Sequence, residues 1–171
     1  MRGLVRRAAP APGPEASAGA PAMRQPGILL ASEGRPFCSH AVEQAAVLAR
    51  RSGGPVHILV IARIWGTSLG FPNPGLNPSR QEWEQAREIV SRATAALEGE
   101  GVPARGGVVG TRNGAKLVMK EARRLGCTAI VMGADPERRR IVADFMWSQE
   151  PHRVARHARR ADMPIHLVDP S

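Results

Sequence analysis

Short apolar runs separated by segments with helical spacing recur along the chain from residue 27 onward. The run Ile28-Leu29-Leu30-Ala31 is uniformly apolar, as expected for a strand that is buried on both faces of a sheet. Residues 39–51 then place apolar side chains three and four positions apart, which predicts a helix with Ser39 as its N-cap and Gly53-Gly54 at its end. The same alternation predicts five strands, at residues 28–31, 56–62, 102–109, 128–132 and 164–168.

A long second helix is predicted to begin at Asn77-Pro78, because asparagine caps helices and proline fits the first turn. Residues 63–79 before it are rich in glycine and proline, which is typical of a loop. A third helix ends at Gly126, and a fourth helical segment precedes the last strand. The apolar stripe of the long helix is Trp83, Ala86, Val90, Ala93 and Leu97.

This alternation of strands and helices predicts an α/β fold with a five-stranded parallel sheet and helices on both faces. In such sheets, ligands bind beyond the carboxyl ends of the strands. The turn after the first strand, residues 32–37, and the segment from Gly133 after the fourth strand are therefore the places to look for a binding site.

Residues 1–26 differ in composition from the rest, since fifteen of them are alanine, proline or glycine without a hydrophobic period. Such a segment buries too little apolar surface to order itself, so we predict a disordered tail at 1–26 and one domain at 27–171. Met1 and Met23 both remain candidate start sites.

No apolar run reaches the roughly 18 residues of a membrane helix or forms a secretory signal, so we expect a cytoplasmic protein that does not enter membranes.

The net charge of +9 comes from 24 basic and 15 acidic residues, and only Lys116 and Lys120 of the basic residues are lysine. Such a charge favours phosphates or an acidic partner, whereas an arginine-rich composition also follows from a GC-rich coding sequence. The arginines are spread along the sequence, which favours the second interpretation and argues against nucleic-acid binding. The six aromatic residues are too few for a stacking platform on single strands.

Three segments together resemble the universal stress protein (UspA) family in order and spacing. They are Ile28 to Gly34, the unit from Gly114 to Gly133 that ends Ala-Ile-Val-Met-Gly, and Val154-Ala-Arg-His-Ala followed by Pro164-Ile-His-Leu-Val. The resemblance covers about residues 27–168. It implies half of a Rossmann-like sheet with strand order 3-2-1-4-5, and a homodimer that pairs through the last strand.

The resemblance also implies a nucleotide site. Glu33 stands where nucleotide-binding members carry an acidic residue, usually Asp, after the first strand. Ile61 takes the place of a hydrophobic residue beside the base, and Met132-Gly133 matches the Met-Gly pair after the fourth strand.

The phosphate loop of that family reads Gly, two residues, Gly, nine residues, Gly, then Ser or Thr, and this chain departs from it. Pro136 occupies the second glycine position, and proline has no N–H to donate. Nine residues after Pro136, the place of the closing Gly-Ser or Gly-Thr is taken by Met146-Trp147. If the chain is aligned backward from the last helix instead, Ser148-Gln149 takes that place, so neither alignment supplies Gly-Ser or Gly-Thr. Ser148 and Gln149 complete a tentative nucleotide site in a divergent branch of the family.

We find no set of nucleophile, base and orienting group, no P-loop and no metal-ligand spacing in the sequence. The sequence therefore predicts a non-enzymatic, dimeric stress-response protein or binding module with a degenerate nucleotide site and no bound cofactor. A true ATP- or AMP-binding member with rearranged phosphate contacts is the main alternative. A basic protein that binds nucleic acid without sequence preference is a weaker one.

Overall fold

The computed structural model describes residues 26–63, 67–68, 71–72, 78, 80–111, 113–133 and 150–168. The predicted tail therefore lies outside the described residues, apart from Pro26. The elements in chain order are β1 (Ile28–Ser32), α1 (Ser39–Ser52), β2 (Val56–Arg63), β3 (Thr67–Ser68), β4 (Phe71–Pro72), α2 (Arg80–Gly99), β5 (Ala104–Thr111), α3 (Gly114–Leu125), β6 (Ala129–Gly133), α4 (Glu150–Arg160) and β7 (Ile165–Val168).

Five strands form one parallel sheet in the order β5-β2-β1-β6-β7. Counting only these strands along the chain gives 3-2-1-4-5, so the predicted fold class and strand order are confirmed. The loop predicted at residues 63–79 contains a small addition, a two-stranded antiparallel pair of β3 and β4.

Two hydrophobic cores cover the two faces of the sheet. Leu30 on β1 packs with residues of α1 and α2, whereas its neighbours Leu29 and Ala31 pack with residues of α3 and α4. This alternation explains why β1 is apolar at every position from Ile28 to Ala31, since successive side chains point to opposite faces and both faces are buried.

The N-cap of the first helix differs from the prediction. Ser39 is the first helical residue rather than the N-cap, and Cys38 takes the cap position in an extended conformation. The Cys38 carbonyl accepts hydrogen bonds from the N–H groups of Ala41 and Val42, and no side chain caps this end. The predicted end is confirmed, because Gly53 adopts a left-handed conformation with φ of 69°.

The long helix α2 begins at Arg80, later than the predicted Asn77-Pro78. Ile89 is buried more completely than the predicted Val90, which packs partly buried against the same core. A side chain at position 106 would meet Val90 and Ile58, so Gly106 on β5 allows the helix to lie close to the sheet. In the described part of the chain, no helix is long and apolar enough to span a membrane.

Candidate functional site

The carboxyl ends of β1, β2 and β6 meet at one edge of the sheet. Ser32 at the end of β1 pairs with Val60, and Ala31 pairs with Met132. Glu33 follows β1 directly, so it lies at the same edge as Ile61 and Gly133. The structure thus brings together four of the six residues predicted from the sequence, Glu33, Ile61, Met132 and Gly133.

A tight turn after β1 positions Glu33. The Ser32 hydroxyl donates to the Arg35 carbonyl at 2.6 Å and accepts from the Arg35 N–H at 3.2 Å. Gly34 has φ of +68°, and a side chain there would lie 3.3 Å from the Ile61 carbonyl oxygen. Glycine is needed at this position because the turn is both left-handed and closely packed against β2. The half-buried Glu33 therefore lies in a tight, hydrogen-bonded turn at the sheet edge.

The side chains of Ile61 and Met132 belong to the core. Each is only 2% exposed, and both pack on the face of the sheet that α3 and α4 cover. The sequence interpretation placed Ile61 beside a base, whereas the structure presents its carbonyl to the Gly34 turn and its side chain to the core. Gly133, in contrast, is exposed at the end of β6, where it pairs with Val168 of β7.

The phosphate side of the predicted site lies outside the described residues. Ser148, Gln149 and Pro136 all fall within 134–149, as do the arginines at 138–140. Arg153 is described and lies exposed on the first turns of α4. The described residues therefore form the part of the predicted site that would face a nucleoside. They are the Glu33 carboxylate on its tight turn and the exposed Gly133 beside it. A carboxylate can accept a hydrogen bond from a hydroxyl or an amine, and a backbone N–H can donate one to a hydroxyl.

A groove of about 530 Å³ starts at the same turn and runs between α1 and α2. Gly34, Pro36 and Phe37 line one end of it, and Val42 and Ile89 lie along it. This groove is on the face opposite to the side chains of Ile61 and Met132. It is therefore not continuous with the predicted base-binding residues.

The buried titratable groups do not belong to this edge. His57 lies near the start of β2, where its Nδ1 accepts from Arg105 Nε at 3.4 Å. Burial, followed by the charges of Arg105 and Arg124, lowers the pKa of His57 below its ordinary 6.5. Burial also raises the pKa of the Cys127 thiol to about 11, which disfavours its use as a nucleophile. Among the described residues, no group of three or more histidine, cysteine or acidic side chains could hold a metal ion.

Sequence reasoning missed one cluster of charged side chains. Among the described residues, five cationic side chains and His157 line a groove of about 670 Å³ between α3 and α4, here called the α3–α4 groove; the five are Lys116, Lys120, Arg123, Arg124 and Arg160. The helical spacing of the four residues on α3 was the available signal, because residues three and four apart share a helix face. The contribution from α4 depends on how the two helices pack, which the sequence does not state.

Comparisons with known proteins agree with this architecture. A universal stress protein from Burkholderia pseudomallei is 26% identical, covers 88% of this chain and 100% of its own, and superposes with a TM-score of 0.58. A universal stress protein from Archaeoglobus fulgidus is 17% identical with a TM-score of 0.62, over 87% of this chain and 96% of its own. Another structure from Archaeoglobus fulgidus, solved in complex with dAMP, is 18% identical with a TM-score of 0.60, over 87% and 100% of the two chains.

No curated protein matches the chain. The sequence model of the universal stress protein family, however, matches residues 27–163, well over half of the chain and nearly all of the described sheet. The predicted resemblance is confirmed by this match and by the shared strand order. The chain therefore belongs to the universal stress protein family.

Proposed function

We propose that this universal stress protein is a non-enzymatic, dimeric binding module of the cytoplasm whose nucleotide site is degenerate and does not hold ATP tightly. One observation carries the proposal: Pro136 stands at the second glycine of the phosphate loop, and neither register supplies the closing Gly-Ser or Gly-Thr. Glycines in such loops let backbone N–H groups close on a phosphate, and proline has no N–H to offer.

The size of the effect follows from the number of lost donors. A hydrogen bond to a charged oxygen contributes roughly 1.5–3 kcal/mol. Loss of two such bonds would raise the dissociation constant for ATP by about two to four orders of magnitude, at about 1.4 kcal/mol per decade. A site with a dissociation constant of about 1 μM would thereby bind ATP with one of about 0.1–10 mM.

The second candidate is an adenine-nucleotide-binding protein with rearranged phosphate contacts. Solved structures with this fold include complexes with dAMP and with cAMP, at 18% and 16% identity. Glu33 and Gly133 keep a polar pair at the corresponding sheet edge. The arginines at 138–140 could replace the lost N–H donors, because guanidinium binds phosphate in a bidentate manner.

The dimer is proposed to form through β7. This strand ends the sheet and pairs with β6 on one side, with no partner strand among the described residues on the other. Leu167 on it is 36% exposed, and no lysine or acidic residue protects Ile165–Val168. An unprotected edge favours pairing with another strand, and antiparallel pairing with a second copy would satisfy its backbone groups.

The nucleotide carried by the protein after purification tests the first candidate against the second. Protein purified without added nucleotide is denatured with acid, and the extract is separated by chromatography with ultraviolet detection. We expect no stoichiometric nucleotide. A stoichiometric adenine nucleotide that is lost in Glu33→Ala and kept in Glu98→Ala, which removes an exposed carboxylate on α2, would establish the second candidate instead.

A further inference from the structure

The net positive charge of the four described helices is concentrated on one side of the sheet. Helix α3 carries two lysines and two arginines against one glutamate, and α4 carries four arginines against one glutamate, so each helix is +3. On the other side, α1 is +1 and α2 is −1, and they cancel. The glutamates at positions 82, 84 and 88, which the sequence places among scattered arginines, lie on α2 and do not neutralise the basic side.

Three cations of the α3–α4 groove have no neutralising partner among the described residues. Arg124 forms an ion pair with Glu121 at 2.6 Å. Lys116, Lys120 and Arg123 are exposed and, within the part of the chain that the structure describes, form no ion pair. On α2, by comparison, Arg80 and Arg92 are paired with Glu84 and Glu88. Like charges that line one groove repel one another, so an anionic partner gains from entering it.

The floor of the groove is apolar. Met119 and Ala161 line it between the cationic walls, and Met119 is 5% exposed. A partner that fits must therefore present carboxylates or phosphates at its sides and apolar groups at its centre. An amphipathic peptide segment that lies in a groove between helices has this pattern.

The lining of the groove disfavours a nucleic acid. A duplex presents phosphates and sugars along its surface and offers no apolar side chain to cover Met119 and Ala161. Single strands are held by aromatic side chains that stack on the bases, and none of the described residues that line this groove is aromatic.

We propose that the α3–α4 groove binds an acidic, amphipathic segment of another protein. Lys116, Lys120, Arg123 and Arg160 contact its carboxylates, and Met119 and Ala161 contact its apolar side chains. This surface is formed by two helices on one side of the sheet, so the inference stands whether or not the nucleotide site is functional.

Synthetic peptides test the proposal with the full-length protein. The probe is a fluorescent peptide of about 16 residues that is helical, rich in glutamate and carries leucines on one face. A second peptide of the same composition distributes the leucines around the helix, and a labelled DNA duplex of about 20 base pairs represents the phosphate backbone. Binding is measured by fluorescence anisotropy at about 150 mM salt, where only contacts within a Debye length of about 8 Å act strongly.

The decisive variant is Lys120→Glu/Arg123→Glu, which reverses two charges in the groove. Its control, Arg51→Glu/Arg87→Glu, makes the same charge change with two exposed arginines of α1 and α2. We expect the groove variant to weaken binding of the amphipathic peptide by about tenfold or more, and the control to change it by less than about threefold. Circular dichroism verifies that both variants remain folded.

Four results would overturn the proposal. The first is that neither peptide binds to the wild type. The second is that both double variants weaken binding equally, which would reflect net charge alone. The third is that the DNA duplex binds more tightly than the amphipathic peptide and is released by the groove variant, which would make this face a nucleic-acid surface. The fourth is that the two peptides bind equally well, which would show that the apolar residues Met119 and Ala161 do not contribute to binding.

Discussion

Replacement of Leu167 by lysine should convert the protein from a dimer to a monomer. Leu167 is 36% exposed on β7, so somewhat more than a third of its surface remains to be buried by a second copy. Burial of a whole leucine side chain contributes about 1.5–3 kcal/mol, so this remainder contributes about 0.5–1 kcal/mol per protomer and about 1–2 kcal/mol per dimer. Two lysines brought close across the two-fold axis add a repulsion of up to about 1 kcal/mol.

The sum, about 1–3 kcal/mol, corresponds to a dissociation constant that is about 5- to 140-fold higher. Sedimentation velocity over a concentration series from low to high micromolar would measure it. Val47→Lys is the matched control, because Val47 is the other large apolar side chain that stands exposed in the described part of the chain, at 46%, and it lies on α1. The reasoning is refuted if the wild type is monomeric at high micromolar concentration and Leu167→Lys is indistinguishable from it.

Three further predictions concern the core and the buried titratable groups. Gly106→Ala should lower the free energy of unfolding in urea by about 1–3 kcal/mol, because its Cβ would lie 2.7 Å from Ile58 Cβ and 2.8 Å from Val90 Cγ1. A Cβ at position 107 would have no atom within 4 Å, so Gly107→Ala should lower the free energy of unfolding far less. Equal effects of the two substitutions would contradict this packing. The lowered pKa of His57 means that the unfolded chain binds its proton first, so stability should fall as pH drops below 6.5. His57→Gln should reduce this slope in urea titrations at several pH values, and an unchanged slope would argue against a neutral buried His57. Iodoacetamide at mildly alkaline pH should modify Cys38 before Cys127, which is 7% exposed with a pKa of about 11, and peptide mass mapping that finds Cys127 modified first would refute this.

The sheet was predictable from the sequence because its signal is local. The run from Ile28 to Ala31 in β1 is apolar at every position, as expected when both faces of a strand are covered, and this pattern favours a parallel sheet between two helical layers. The cap of α1 was not predictable in the same way. Cys38 and Ser39 are adjacent, and the choice between them depends on the backbone turn that delivers the chain from β1 into the helix.

The site was predictable only in part. The position of Glu33 at the sheet edge follows from its place directly after a strand, but the direction of the Ile61 side chain follows from the pleat of β2 against its neighbours. The α3–α4 groove combines residues about forty positions apart in the sequence, and its walls form only when α4 packs on α3. Charges that look scattered along a chain can therefore collect on one surface, which a linear inspection of arginines does not reveal.

Isothermal titration calorimetry of ATP into the purified protein tests the central claim most directly. The universal stress protein from Archaeoglobus fulgidus that was solved with dAMP, titrated with dAMP, serves as the positive control for the assay. Because the phosphate loop carries Pro136 and lacks its closing Gly-Ser or Gly-Thr, we predict no saturable heat with ATP up to high micromolar protein concentration. Saturable binding of ATP with a low-micromolar dissociation constant would contradict the degenerate site and establish a nucleotide-binding protein with rearranged phosphate contacts.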